Sequence, residues 1–320
     1  MTSPMIVFKF KPKGDDLSPP FESEEVKIGP FNWKATGIDV CVKKRLIVKD
    51  FQVICSVDNK KSTIWSCRAK GRVTTSNGNP DRLGNDDKIC KLWTGSFNFL
   101  KSDDLNRSSK LALKWGLHKD EIYNYELKPS AAIWVEVEVN LIKSHYVDLS
   151  SSENEMIEGP EDAVGVEVAG EKLWLSKKIL SIHSPFFKAL FSQDFNEKAT
   201  ETYELKEIEL NEFLHFLALV YNVDAPIDHE SVFYLMKLGD FFQCDAVIRR
   251  CEDYIVSSDA ASMCLAKKIE LCDGFDIPTL AEECVKKLTI AEVKKYFNTG
   301  NDKRLSEFTR DLMIERLSSE

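Results

Sequence analysis

The sequence predicts a multidomain chain: an all-β sandwich, then an α+β domain with a C-terminal α-helical extension. Three observations predict it. Apolar residues alternate with period two through residues 31 to 142, a polar acidic break follows, and helix-like patterning with a 33-residue repeat lies beyond it. A chain of 320 residues suits about two domains. The boundaries this suggests are 1–146 for the sandwich, 147–160 for a linker, 161–256 for the α+β domain and 257–320 for the helical extension.

In the first part, Phe51, Val53, Cys55 and Val57 share one strand face because successive side chains point to opposite sides. Trp65, Cys67 and Ala69 alternate in the same way with Ser66, Arg68 and Lys70. Ile133, Val135, Val137, Val139 and Leu141 alternate with Glu136, Glu138 and Asn140. Asp58-Asn59 and Asn77-Gly78-Asn79-Pro80 supply turn chemistry between such strands. Half-buried strands at this spacing predict antiparallel sheets packed as a sandwich. Residues 148–160 are small, polar and acidic, with no period, which marks the linker.

Beyond it, Val164 to Val168 predicts a short strand. Ser184-Pro185 offers an N-cap and a first-turn proline whose missing N–H costs nothing there. Phe186, Phe187, Leu190 and Phe191 then fall on one helical face. Asn211 is expected to cap the helix through Phe213, Phe216, Leu217 and Val220. Leu238, Asp240, Phe242, Val247, Cys251 and Ile255 recur 33 positions later as Leu271, Asp273, Phe275, Leu280, Cys284 and Leu288, which predicts two helical hairpins of one design.

The net charge of -9 divides unevenly. Residues 1–150 hold 24 Lys and Arg against 19 Asp and Glu, a net of +5, and the remainder holds 19 against 33, a net of -14. Neither half is the strongly basic surface that nucleic acid binding needs, so no nucleic-acid partner is expected. The most apolar stretch, Phe213 to Tyr221, is short of the about 20 residues a membrane-spanning helix requires. The apolar run Met5 to Phe8 is too short for a signal-peptide core. Nine cysteines without a C-x-x-C pair read as reduced thiols, mostly small buried apolar residues, in a cytoplasmic and/or nuclear protein. No phosphate-binding loop, dinucleotide fingerprint, zinc-protease or nucleophile-elbow motif occurs, and the five histidines lack metal-ligand spacing. A non-catalytic chain without cofactor or metal is the expectation.

The second part resembles the BTB (POZ) domain, in the form fused behind a MATH domain. The resemblance rests on Asp162-Ala-Val164, Val168-Ala-Gly-Glu-Lys-Leu173, Ser176-Lys-Lys-Ile-Leu180, His183-Ser-Pro-Phe-Phe187, Ala189-Leu-Phe191, Phe195-Asn-Glu197 and Leu219-Val-Tyr221. The repeat and the tail Leu305 to Ile314 resemble the helical extension that follows such domains in cullin adaptors. The first part resembles a MATH (TRAF-like) domain through Phe31-Asn-Trp33, Trp65-Ser-Cys-Arg-Ala69, Lys114-Trp-Gly-Leu117 and Trp134-Val-Glu-Val-Glu138.

The resemblance implies an adaptor that recruits a protein substrate through its MATH-like domain, binds cullin-3 of a ubiquitin ligase through its BTB domain, and self-associates as a homodimer. It implies cullin contacts at Phe195, Glu197 and Tyr221, and a charged pair near the dimer seam at Asp162 and Lys177. Trp93, Phe97, Trp115 and Leu117 are the candidates for the substrate groove. Each has a competing structural reading. Phe195, Tyr221 and the tryptophans suit a core, Glu197 a solvated loop and Asp162 a surface turn. The sequence departs from the family at Ser176, where many relatives have histidine, and in an Asp162–Gly170 stretch one residue longer than usual. The alternative function is a BTB-mediated structural or transcription-regulatory scaffold without ligase recruitment.

Overall fold

The structure, a computed structural model, describes residues 5–10, 21–42, 45–58, 61–77, 88–100, 109–112, 133–192, 202–257 and 263–318. The chain divides into two compact units, Met1–Glu155 with Val223–Ala225, and Met156–Asn222 with Pro226–Glu320.

The first unit is built from β1 (Met5–Phe10), β2 (Phe21–Glu22), β3 (Val26–Ile28), β4 (Phe31–Val42), β5 (Arg45–Val57), β6 (Thr63–Asn77), β7 (Lys88–Asn98), β8 (Ser109–Ala112), β9 (Ile133–Glu138) and β10 (Asn140–Asp148). One sheet runs β1-β9-β6-β10 with β7 also on β6, and the other runs β2-β4-β5-β8 with β3 on β4. The pairings within both are antiparallel. The alternation in the sequence sorts Phe51, Val53, Cys55, Val57, Trp65, Cys67, Ala69, Val135, Val137 and Val139 into the space between the sheets. Aromatic rings cross that space, with Phe31 5.7 Å from Trp65 and Trp33 5.0 Å from Phe97 in an edge-to-face arrangement. This is a two-sheet sandwich, strand-rich as the alternation predicts. The expected turn at Asn77 to Pro80 extends outside the described residues.

The second unit opens with a three-stranded sheet, β12-β11-β13, of β11 (Ala163–Val168), β12 (Glu171–Ser176) and β13 (Thr202–Leu205). Ala169 and Gly170, both at positive φ, form the two-residue hairpin between β11 and β12. The helices are α1 (Lys177–His183), α2 (Pro185–Ser192), α3 (Leu210–Val220), α4 (Ser231–Phe241), α5 (Asp245–Val256), α6 (Leu265–Gly274), α7 (Pro278–Lys287), α8 (Ile290–Asn298) and α9 (Glu307–Ser318). The Ser184 hydroxyl caps α2 as expected, accepting from Phe187 N at 3.1 Å. The expectation for Asn211 is corrected. Helix α3 begins two residues earlier, with Glu209 at the cap position, and Asn211 lies inside the first turn. Helix α3 is the centre of the unit, with every residue from Phe213 to Val220 buried.

The 33-residue repeat is real in three dimensions. Helices α4 and α5 form one hairpin and α6 and α7 the next. Gln243 and Asp276, 33 positions apart, both take φ 52° at the bend. Cys244 N donates to Gly239 O and Ile277 N to Cys272 O, the same bond in both copies, at 2.7 and 2.8 Å. Cys251 and Cys284 are buried at equivalent places.

Candidate interaction surface

Helix α1 starts in a cluster of polar groups around Asp162. Ser176, its N-cap, accepts from Ile179 N at 3.1 Å and donates a hydrogen bond from its own hydroxyl to Asp162 Oδ2 at 2.8 Å. Asp162 Oδ1 accepts from Lys178 N at 2.8 Å, and Oδ2 from Glu158 N at 3.1 Å. A carboxylate on the N-terminal N–H groups of a helix is stabilised by charge-assisted bonds and by the helix dipole. Burial alone would push the Asp162 carboxyl up. The two backbone N–H groups, the Ser176 hydroxyl and the nearby Lys178 charge outweigh it and hold the group below the usual range.

Within this chain Asp162 and Lys177, the residues expected near a dimer seam, take separate partners. Ser176 Oγ, Lys178 N and Glu158 N donate to the carboxylate, and Lys177 Nζ donates to Glu161 O at 3.2 Å. Lys178, the next residue, is the one in an ion pair, with Glu158 at 2.6 Å. Asp162→Ala is expected to destabilise the helical unit by about 1 kcal/mol, the usual effect of losing a helix cap, read from urea midpoints. Because the folded carboxyl titrates below its unfolded value, the Asp162 contribution is complete above about pH 4 and fades as pH falls further. The penalty of the substitution should shrink in that acid range.

Tyr221, the remaining residue of the docking expectation within the described residues, has an internal partner. It ends α3 with its ring buried, and its hydroxyl lies 3.4 Å from Ser176 N, so it braces the start of α1 from inside. Trp93 and Phe97, the groove candidates within the described residues, are buried as well. Alternate residues on β7, they face the sandwich interior at 5% and 1% exposure, their rings 6.4 Å apart, and so are core. Phe195, Glu197, Trp115 and Leu117 lie outside the described residues.

What the sequence does not show is the exposure of two large apolar side chains. Ile182 on α1 and Phe241 at the end of α4 are 69% and 56% exposed, and the half-buried Phe186 ring lies 5.4 Å from that of Phe241. The one available signal was Phe241-Phe242, two adjacent phenylalanines of which a helix end can bury only one fully. Beside α1 and α2 lies an open pocket of about 630 Å³, lined among others by Asp162, Lys177, Lys178, Lys188 and Phe191.

Among the described residues, no group of His, Cys, Asp and Glu is placed to hold a metal, and no helix is long and apolar enough to cross a membrane. His215 Nδ1 lies 2.7 Å from the Tyr234 hydroxyl inside the second unit. Burial pushes the imidazole down to about 4, against a smaller upward pull from Asp228, so it stays neutral at ordinary pH.

A family model described as BTB/POZ domain matches residues 163–259. This segment is a BTB/POZ domain. It comprises β11 to β13 and α1 to α5, and α6 to α9 follow it. BTB and MATH domain-containing protein 38 of Caenorhabditis elegans is 24% identical over 94% of this chain and 74% of its own length. BTB and MATH domain-containing protein 36 of the same organism is 24% identical over 80% and 78%. Both relatives carry MATH as well as BTB in their names, and the strand-rich sandwich before the BTB domain is consistent with a MATH domain. The solved BTB domain of zebrafish PATZ1 is 22% identical, covers 31% of this chain and 78% of its own, and has a TM-score of 0.25.

Proposed function

We propose that this chain is a substrate-recruiting adaptor of a cullin-3 RING ubiquitin ligase, with the sandwich binding a protein substrate and the BTB domain both docking cullin and self-associating. A BTB domain is a protein-interaction module, and the observation that carries the finer reading is its position behind a MATH-like sandwich and before a helical extension. Phe195 and Glu197 supply an apolar anchor beside a charged group, the combination on which interface hot spots are built. The exposed Ile182 and Phe241 supply apolar area of the kind a self-association surface uses.

The purified full chain is expected to co-elute with the N-terminal region of cullin-3 in gel filtration. Phe195→Ala with Glu197→Ala should weaken that complex at least 10-fold while leaving the melting curve in place. An unchanged complex would remove those residues from the docking role, and no complex with the parent chain would remove the ligase reading. Sedimentation should show a dimer at micromolar concentration that Ile182→Glu with Phe241→Glu converts to monomer. A monomeric parent chain would overturn self-association.

A further inference from the structure

We propose that Cys55 and Cys67 are a latent inter-sheet disulfide, a dithiol that an oxidant of the peroxide class closes into a covalent bridge between the two sheets of the sandwich. Cys55 lies on β5 in one sheet and Cys67 on β6 in the other, and their sulfur atoms are 3.7 Å apart. Their neighbours complete a single layer. Trp33 is the cross-strand partner of Cys55, and Phe97 that of Cys67. Trp33 and Phe97 meet edge to face across the same gap. Two cysteines spanning a sandwich beside a packed tryptophan are the arrangement by which other β-sandwiches hold their sheets together covalently. Here the two thiols are free.

The reaction balances without a protein base. Peroxide oxidises one thiol to a sulfenic acid and releases one water. The second thiol then attacks the sulfenic sulfur, the Sγ–Sγ bond forms, and the hydroxyl leaves with the second thiol's proton as another water. Two electrons and two protons pass from the thiols to peroxide. The bond is about 2.05 Å long, so the sulfurs must approach each other from their present separation.

Exposure of 0% and 2% sets the kinetics. Burial, reinforced by the neighbouring Cys67, pushes the Cys55 thiol well up, so thiolate is scarce and closure is slow. The same burial shields the finished bridge from reductant. The pair is therefore a lock set under sustained oxidation rather than a rapid switch.

The test treats the folded full chain with hydrogen peroxide, then unfolds it, alkylates free thiols and maps peptides by mass spectrometry. A linked pair joining Cys55 to Cys67, lighter by two hydrogens, is expected. The sandwich melting temperature should rise by about 5 °C or more, as for closure of a loop of this length, and return to its starting value once reductant is added to the unfolded chain. Cys67→Ala should abolish both changes. Free alkylated Cys55 and Cys67 in a sample whose exposed Cys90 and Cys264 are fully oxidised would overturn the proposal. So would linkage of either residue to a different cysteine. Peptide mapping of the unsubstituted chain decides the matter even if the variant fails to fold.

Discussion

Replacing Phe242 by Ala is expected to lower the stability of the helical unit by about 3–5 kcal/mol, the range for removing a fully buried aromatic ring. The ring is 0% exposed and is the hub of a phenylalanine cluster. Phe187 stacks on it at 4.7 Å, Phe216 lies at 5.0 Å, Phe186 at 5.4 Å and Phe213 at 5.8 Å. These rings belong to α2 and α3, so the cavity left behind is bordered by separate helices, none of which can close it alone. The backbone of Phe242 is committed too. Its N–H donates to Leu238 O at 2.9 Å, and its carbonyl accepts from the Ser184 hydroxyl that caps α2. Loss of the ring therefore loosens the point where α2, α3 and α4 meet. Urea unfolding followed by helical circular dichroism should show the midpoint fall. Phe241→Ala is the control: with its ring more than half exposed, its cost should stay below about 1 kcal/mol. Equal costs at the two positions would mean that the cluster is not the keystone described.

That contrast also shows what the sequence could reveal. The 33-residue spacing located both hairpins because a helix-bend-helix unit repeats its core contacts and its bend residue together, as Gln243 and Asp276 show. The strands were legible for a similar reason, since a half-buried sheet writes its two faces into alternate residues. The same rule, applied to Trp93-Thr94-Gly95-Ser96-Phe97, puts both aromatics on one face and identifies them as core. Asp162 shows a different limit. A charge pair read from a family position leaves out local competition, and within the chain Ser176 and the Lys178 N–H of α1 bind the carboxylate. Tyr221 was ambiguous because an aromatic residue at a helix end serves a core and an interface equally well until its neighbours are known. The exposed side chains of Ile182 and Phe241 were hidden because exposure is a property of the packed helices, not of the residue type.

Gly71→Ala is expected to be comparably damaging in the sandwich, for a reason no propensity scale contains. Strand β6 pairs with β10 as far as the Lys70↔Asn140 match and with β9 from Val73↔Val137, so Gly71 sits where one neighbour gives way to the next. There the Glu138 carbonyl approaches so closely that an added Cβ would lie 1.7 Å from its oxygen and 2.7 Å from its carbon. Both are backbone atoms of a paired strand, and neither can move without breaking register. On its other side the Cβ would meet Trp93 Nε1 at 2.9 Å, a buried ring already packed against Phe97. A loss of about 3 kcal/mol or more is expected, at the upper end of overpacking penalties. Gly239→Ala on α4 provides the contrast. Its Cβ would come within 2.8 Å of Ile248 Cδ1, the end of a flexible side chain that can rotate away. The two substitutions are distinguishable optically, because five of the six tryptophans lie in residues 1–150 and only Trp174 lies beyond. Tryptophan emission should therefore report a lowered midpoint for Gly71→Ala and a nearly unchanged one for Gly239→Ala. A Gly71→Ala chain with the parent emission midpoint would mean that β9 and β6 do not approach as closely in solution as this packing requires.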